Sequence, residues 1–210
     1  MASQDGKVQA TRSEVSGEMS SWRLEDKQGN VTTLQQPGLN IREAMLTPKG
    51  QYLVGMGQWV RNGQALLIWN RAAQKPQMLP ALRGNWQNKI AFSPDERFLL
   101  IVDSGAGSVE TLYCRELATG KIRWTRIAPY DVGLNPETEA LAISPDGRFV
   151  AIAYAEAIVI RNLETGVAIR QINRRNDFYK NAYLQFSPDS RLLGDAYSTG
   201  IAVWDWQEAK

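Results

Sequence analysis

Ile143-Ser144-Pro145-Asp146-Gly147-Arg148-Phe149-Val150-Ala151-Ile152-Ala153-Tyr154 joins two apolar runs through a Ser-Pro-Asp-Gly turn. Pro presets φ, Asp hydrogen-bonds the backbone two residues on, and Gly accepts the positive φ that closes the turn, so the two runs fold back as paired strands. The arrangement returns as Leu46-Thr47-Pro48-Lys49-Gly50, Phe92-Ser93-Pro94-Asp95 and Phe186-Ser187-Pro188-Asp189. Recurrence at about 40–50 residues marks units that cannot bury their own apolar faces and must stack on neighbours. Asp95, Asp146 and Asp189 are accordingly read as turn formers and not as catalytic acids.

Working outward from the turns, each unit reads as four short segments of apolar or alternating character. The first, near 41–82, predicts strands over 42–46, 51–56, 65–69 and 77–82, with Asn62-Gly63 as a hairpin signal. The second, near 88–127, predicts 89–92, 97–102, 109–115 and 121–127; the third, near 138–172, predicts 140–143, 148–154, 157–161 and 167–172. The last, near 182–206, offers 183–186, 192–197 and 201–204, and the fourth strand is missing. Ahead of these, 19–36 reads as a partial unit, with 20–25 as a third strand and 30–34 as a fourth. Residues 1–18 are expected to form a poorly defined segment: Ser3 to Val8 resembles a hairpin leading into a third strand, followed by a polar insertion over 9–17. No stretch of a dozen residues keeps a helical apolar period free of Gly or Pro. The expected fold is all-β, built of four-stranded antiparallel meanders.

Composition narrows the chemistry. The 210 residues are 43% hydrophobic and 22% charged, which suits one substantial core. The net charge of +2 is spread without a basic block, so nucleic acid is not an expected partner. No run approaches the length of a membrane span and the start has no apolar leader, so no membrane partner is expected and the expected location is cytoplasmic. The single Cys114 lies in an apolar run and reads as a reduced core thiol. Histidine is absent, which removes the commonest general base and metal ligand. Neither a Ser-His-Asp set, a metal cluster nor a phosphate-cradling loop is present, so no enzyme activity, catalytic residue, cofactor or metal is expected.

The Ser-Pro-Asp-Gly turns, with Ile68-Trp69-Asn70 and Val203-Trp204-Asp205 closing third strands, resemble the WD40 repeat family of β-propellers over roughly residues 19–206. In the same place the other units are read as carrying Cys114-Arg115 and Ile160-Arg161. The resemblance implies a propeller of about four to four and a half blades here, fewer than a closed ring of relatives carries. It leaves three completions open: a longer propeller of which this is part, an open arc completed by self-association or by another chain, and a small closed ring. It also implies that blades rest on apolar packing and strand ladders, because the Asp–His–Ser–Trp network of many members cannot form without His.

Members of the family bind partners through loops that join one blade's last strand to the next blade's first, together with second-to-third-strand hairpins. Those places hold Trp59, Arg61, Trp86, Tyr130, Arg174, Arg175, Phe178 and Tyr179. Aromatic and Arg side chains dominate binding hot spots. They are the candidate contacts for a protein partner, and the expected function is a non-enzymatic interaction scaffold. The alternatives are a ligand-binding or enzymatic propeller of TolB-like or lactonase-like type, and the sensor part of a larger multidomain protein. Asp195 stands apart, an acid in the run 192–197 where sibling runs are read as carrying Val102 or Ala153; it is expected to line a central channel or to face solvent.

Overall fold

A computed structural model describes residues 2–4, 6–15, 19–35, 39–59, 64–73, 76–79, 90–104, 110–128, 138–174, 183–197 and 200–208. Among these the chain is entirely strand and turn, in the order β1 (Val8–Val15), β2 (Met19–Asp26), β3 (Val31–Gln35), β4 (Leu39–Leu46), β5 (Tyr52–Trp59), β6 (Gln64–Asn70), β7 (Gln77–Leu79), β8 (Ile90–Phe92) and β9 (Phe98–Ser104). The series continues with β10 (Glu110–Glu116), β11 (Ile122–Ala128), β12 (Thr138–Ile143), β13 (Phe149–Tyr154), β14 (Ala157–Asn162), β15 (Ala168–Asn173), β16 (Tyr183–Phe186), β17 (Leu192–Tyr197) and β18 (Gly200–Asp205).

Two compact units divide the chain, Met1–Arg83 with Leu117–Gly120, and Gly84–Glu116 with Lys121–Lys210. The strands of the first unit form a three-stranded sheet, β1-β2-β3, and a four-stranded one, β4-β5-β6-β7. Those of the second form the four-stranded sheets β8-β9-β10-β11 and β12-β13-β14-β15 and the three-stranded sheet β16-β17-β18. Every pairing is an antiparallel meander between chain neighbours. The four-stranded meander repeats as the turn spacing predicts.

The recurring turn has one hydrogen-bond scheme. Ser144 N–H donates to the Phe149 carbonyl at 2.9 Å, Gly147 N–H to the Ser144 carbonyl at 2.8 Å, and Phe149 N–H to Ser144 Oγ at 2.9 Å. Ser144 Oγ–H in turn donates to Asp146 Oδ1 at 2.5 Å, and that oxygen accepts from Arg148 N–H at 3.0 Å. The residue in Gly147's place always takes a positive φ, as Gly50 (70°), Glu96 (64°), Gly147 (71°) and Ser190 (62°).

A fifth copy opens the chain. Ser3 N–H donates to the Val8 carbonyl, Gly6 N–H to the Ser3 carbonyl and Val8 N–H to Ser3 Oγ, with Gly6 at φ 65°. Ser3 to Val8 is therefore a first-to-second-strand turn and not a hairpin into a third strand, and Ala2 forms an antiparallel bridge with Gln9. The expected polar insertion is strand β1 through residue 15, which pairs along the whole of β2. Its polarity is that of an alternating strand: Val8 and Ala10 are buried while Gln9 and Thr11 are exposed.

Alternation also explains the continuous apolar runs. In β13, Val150, Ile152 and Tyr154 pack with Phe98, Leu100 and Val102 of β9, while Ala151 and Ala153 pack with Leu184, Phe186 and Leu193 of the following sheet. A strand buried on both faces has no polar side, and each large apolar side chain removed from water contributes about 1.5–3 kcal/mol. In the first unit, Val8, Ala10, Trp22, Leu24 and Leu34 pack with Ile41, Leu53, Leu67 and Trp69.

Pairing corrects the equivalences at the third-strand ends. Tyr52 pairs with Asn70, Phe98 with Glu116, Phe149 with Asn162 and Leu192 with Asp205. The counterparts of Trp69-Asn70 and Trp204-Asp205 are thus Arg115-Glu116 and Arg161-Asn162, one residue later than expected. Arginine occupies the tryptophan position twice, and Arg161 is fully buried with Nη1 donating to the Gly166 carbonyl at 3.1 Å.

Candidate functional site

In the second unit a polar cluster forms where the end of β15 meets β12 and β17. β12 supplies Glu139 through a bulge: Thr138 pairs with Tyr154 and Ala140 with Ala153, leaving Glu139 as the extra residue. A bulge bends its strand and re-aims the extra side chain. Arg174 follows β15, held by its N–H donating to the Glu156 carbonyl at 2.9 Å. β17 supplies Asp195, beside buried Leu193 on the face turned to the preceding sheet.

The Arg174 guanidinium joins these elements. Nε donates to Asp195 Oδ2 at 2.8 Å and Nη2 to Oδ1 at 3.4 Å, a forked contact. Nη1 donates to Glu139 Oε2 and to the Tyr154 carbonyl, both at 2.6 Å. The three side chains are 8%, 16% and 1% exposed for Arg174, Glu139 and Asp195. Burial raises the Asp195 pKa against the pull of Arg174. For Arg174, burial opposes the charge, but the Glu139 hydrogen bond and the Asp195 and Glu139 charges outweigh it and the pKa rises. On the other side of β12, Thr138 N–H donates to Glu110 Oε2 of β10 at 2.8 Å. Side-chain polar contacts thus link three successive sheets through the first two residues of β12.

Asp195 therefore neither lines a channel nor faces solvent. With the turns superimposed its counterparts are Ile101 and Ile152, both fully buried, and not Val102 or Ala153. Facing the preceding sheet, its carboxylate is compensated by the Arg174 cation beside it. Arg174, one of the expected partner contacts, has a buried side chain whose donors are directed to Asp195, Glu139 and the Tyr154 carbonyl. Polar staples supplement apolar packing, including Trp124 Nε1–H to the Leu163 carbonyl and Trp206 Nε1–H to the Ser190 carbonyl, each at 2.8 Å.

Among the other sequence candidates, Trp59 ends β5. Arg61, Trp86, Tyr130, Arg175, Phe178 and Tyr179 lie outside the described residues. The structure bears out the turn role of Asp95, Asp146 and Asp189, whose Oδ1 atoms accept from Arg97, Arg148 and Arg191 N–H. Cys114 is a buried free thiol whose pKa burial pushes up to about 12. Among the described residues no three His, Cys, Asp or Glu gather as a metal-binding set. Among the described residues no helix is long and apolar enough to cross a membrane. Sequence reasoning missed Glu139, whose bulge has no signature of its own.

Successive antiparallel four-stranded meanders packed face against face define a β-propeller fold. Solved structures with this fold resemble the chain at low identity. A crystal structure of TolB from Acinetobacter baumannii matches 97% of this chain and 50% of its own, at 14% identity and a TM-score of 0.59. A eukaryotic initiation factor matches 96% of this chain and 50% of its own, at 15% identity and a TM-score of 0.68. A chain of a mitotic checkpoint complex matches 97% of this chain and 58% of its own, at 16% identity and a TM-score of 0.62. The chain thus spans about half the length of these neighbours. No family model and no curated protein sequence matches it.

Proposed function

We propose that this protein is a non-enzymatic interaction scaffold of WD40-like propeller type that offers its connecting loops to a protein partner in the cytoplasm. The observation that supports this is the Glu139–Arg174–Asp195 staple. It fixes the start of the β15–β16 connection to two sheets at once, and the sequence that follows is Arg175-Asn176-Asp177-Phe178-Tyr179. Binding residues work best when carried on rigid elements, and Arg, Phe and Tyr are residues that interfaces favour. The test is affinity capture with the whole chain against the Phe178→Ala/Tyr179→Ala variant, read by mass spectrometry. A protein held by the parent and released by the variant is the expected result. Tight binding of a small ligand with no protein partner, or a partner indifferent to the variant, would sink the reading.

A TolB-like or lactonase-like activity would call for carboxylates converging on an open site. Asp195 and Glu139 instead meet on Arg174 in a buried position, and among the described residues the acids that meet on an exposed side, Asp205 and Glu208, are drawn to Arg191.

A further inference from the structure

Arg174 meets two carboxylates with one positive charge. Four of its five guanidinium donors are committed, Nε and Nη2 to Asp195 and Nη1 to Glu139 and the Tyr154 carbonyl. Among the described residues Arg174 is the one cation paired with either acid. With both acids ionised the cluster therefore carries one negative charge in excess, where water reaches little of it. The elements packed around Asp195 bring it no other charge among the described residues. β16 places Leu184 opposite it and β18 Ala202, while Tyr183 is exposed on the other face of the sheet. β13 contributes the buried Tyr154 and β12 Glu139 itself; the Glu110 carboxylate of β10 is turned to the Thr138 N–H. Glu156, ahead of β14, is exposed and meets Arg174 through its backbone carbonyl. A buried surplus charge is relieved by taking up a proton.

We propose that Glu139, Arg174 and Asp195 form a proton-operated latch: one proton taken up by the two carboxylates keeps Arg174 pinned to both sheets, and its loss as pH rises loosens the start of the β15–β16 connection. The proton cancels the surplus charge and leaves one carboxylate for one guanidinium. Burial is the largest influence raising the Asp195 pKa; Arg174 pulls it back, and the charge of Glu139 raises it again. Opening the latch returns Asp195 to water, where its value is 3.8, so the closed form binds the proton more tightly and lower pH favours closure. Arg174 is also where the chain leaves β15, with its N–H on the Glu156 carbonyl and its side chain on β12 and β17. Release of this residue therefore reaches the connection directly. Ile101 and Ile152 stand in the place of Asp195 in the two preceding sheets, and neither can take up a proton. As regulation of a partner-binding loop the latch rests on the proposed scaffold function; as a local opening it is measurable without a partner.

The test is amide hydrogen exchange of the whole chain, read by NMR between about pH 4 and about pH 7, with each rate divided by the intrinsic rate at that pH. Arg174 N–H reports the latch, and Ile160 N–H in β14 reports global opening. Arg174 should be the less protected of the two. Its protection should fall roughly three- to tenfold as pH rises, by no more than about tenfold per pH unit for one proton. The midpoint of that fall should coincide with the titration of the Asp195 carboxyl, followed by NMR of its side-chain carbon in the parent protein. Asp195→Asn should abolish the pH dependence. Glu139→Gln keeps the Asp195 pair with Arg174 and should move the midpoint to lower pH. Protection of Arg174 that is constant with pH, a fall that persists in Asp195→Asn, or a midpoint that departs from the Asp195 titration would each overturn the proposal. Equal protection at Arg174 and Ile160 would overturn it too, because the opening would then be global. The Asp195 titration is read without substitution, so the test stands even if Asp195→Asn does not fold. Since exchange needs no partner, failed capture with this pH dependence intact sinks the scaffold reading and leaves the latch in place.

Discussion

Ser144 and its counterparts do more in the turn than the proline that makes the turn visible. The hydroxyl caps the N–H of the residue that opens the second strand in all five turns, including the first, where Gln4 stands in place of Pro. Ser144→Ala leaves the part-buried Phe149 N–H without its side-chain acceptor and frees Asp146, so urea denaturation should show a loss of about 1 kcal/mol. Glycines separate two effects. Gly147 and Gly166 both hold φ near +70°, but a Cβ on Gly147 meets nothing closer than Pro94 at 3.8 Å, whereas on Gly166 it lies 2.6 Å from the Trp124 ring. Gly147→Ala should lose only the conformational ~1 kcal/mol, and Gly166→Ala about 3 kcal/mol with a changed Trp fluorescence. Cys114 is fully buried, so a thiol reagent should modify it only after unfolding, at a rate that rises with urea.

At the level of elements, the Arg174 staple predicts an asymmetry. Removing the cation leaves two carboxylates facing each other in a buried place, and Arg174→Met should destabilise by about 3–5 kcal/mol. Glu139→Gln keeps an acceptor and removes the surplus negative charge, so its effect should stay below about 1 kcal/mol. Adding Asp195→Ile to Arg174→Met restores the residue that sibling strands carry and should recover much of the loss; urea midpoints of the three variants decide this. If Glu139→Gln proved as damaging as Arg174→Met, the staple would not be organised around the guanidinium. Asp195 was legible as an oddity, an acid in an apolar strand. Its partner was not, because Arg174 lies 21 residues away in the chain and meets it only when two sheets pack.

For the whole molecule, the titrating groups predict a stability plateau. The Asn30 side chain holds Asp26, the Ser187 hydroxyl holds Asp189 and Arg191 holds Asp205 below the ordinary carboxylate range. Stability from such groups is present above their unfolded value of 3.8 and is lost as pH falls through the native one. Asp195, raised by burial, acts oppositely: its native form keeps a proton longer, so stability declines as pH rises through its raised value. Cys114, raised from 9.0 to about 12, contributes stability that is full below 9.0 and is lost as pH climbs toward 12. The urea midpoint should therefore fall below roughly pH 4 and above roughly pH 9, with the acid fall shallower in Asp189→Asn and the alkaline fall smaller in Cys114→Ala. By itself the sequence determined the repeat, the strand-turn-strand units and the turn role of Asp95, Asp146 and Asp189, because period-two alternation and turn chemistry act between residues near in the chain. The tertiary structure alone decided that Ser3 begins a fifth turn, that Arg115 and Arg161 stand where Trp69 and Trp204 do, and that Asp195 is buried against Arg174. Those outcomes depend on register, bulges and the packing of one sheet on the next, and such long-range contacts leave no mark on spacing along the chain.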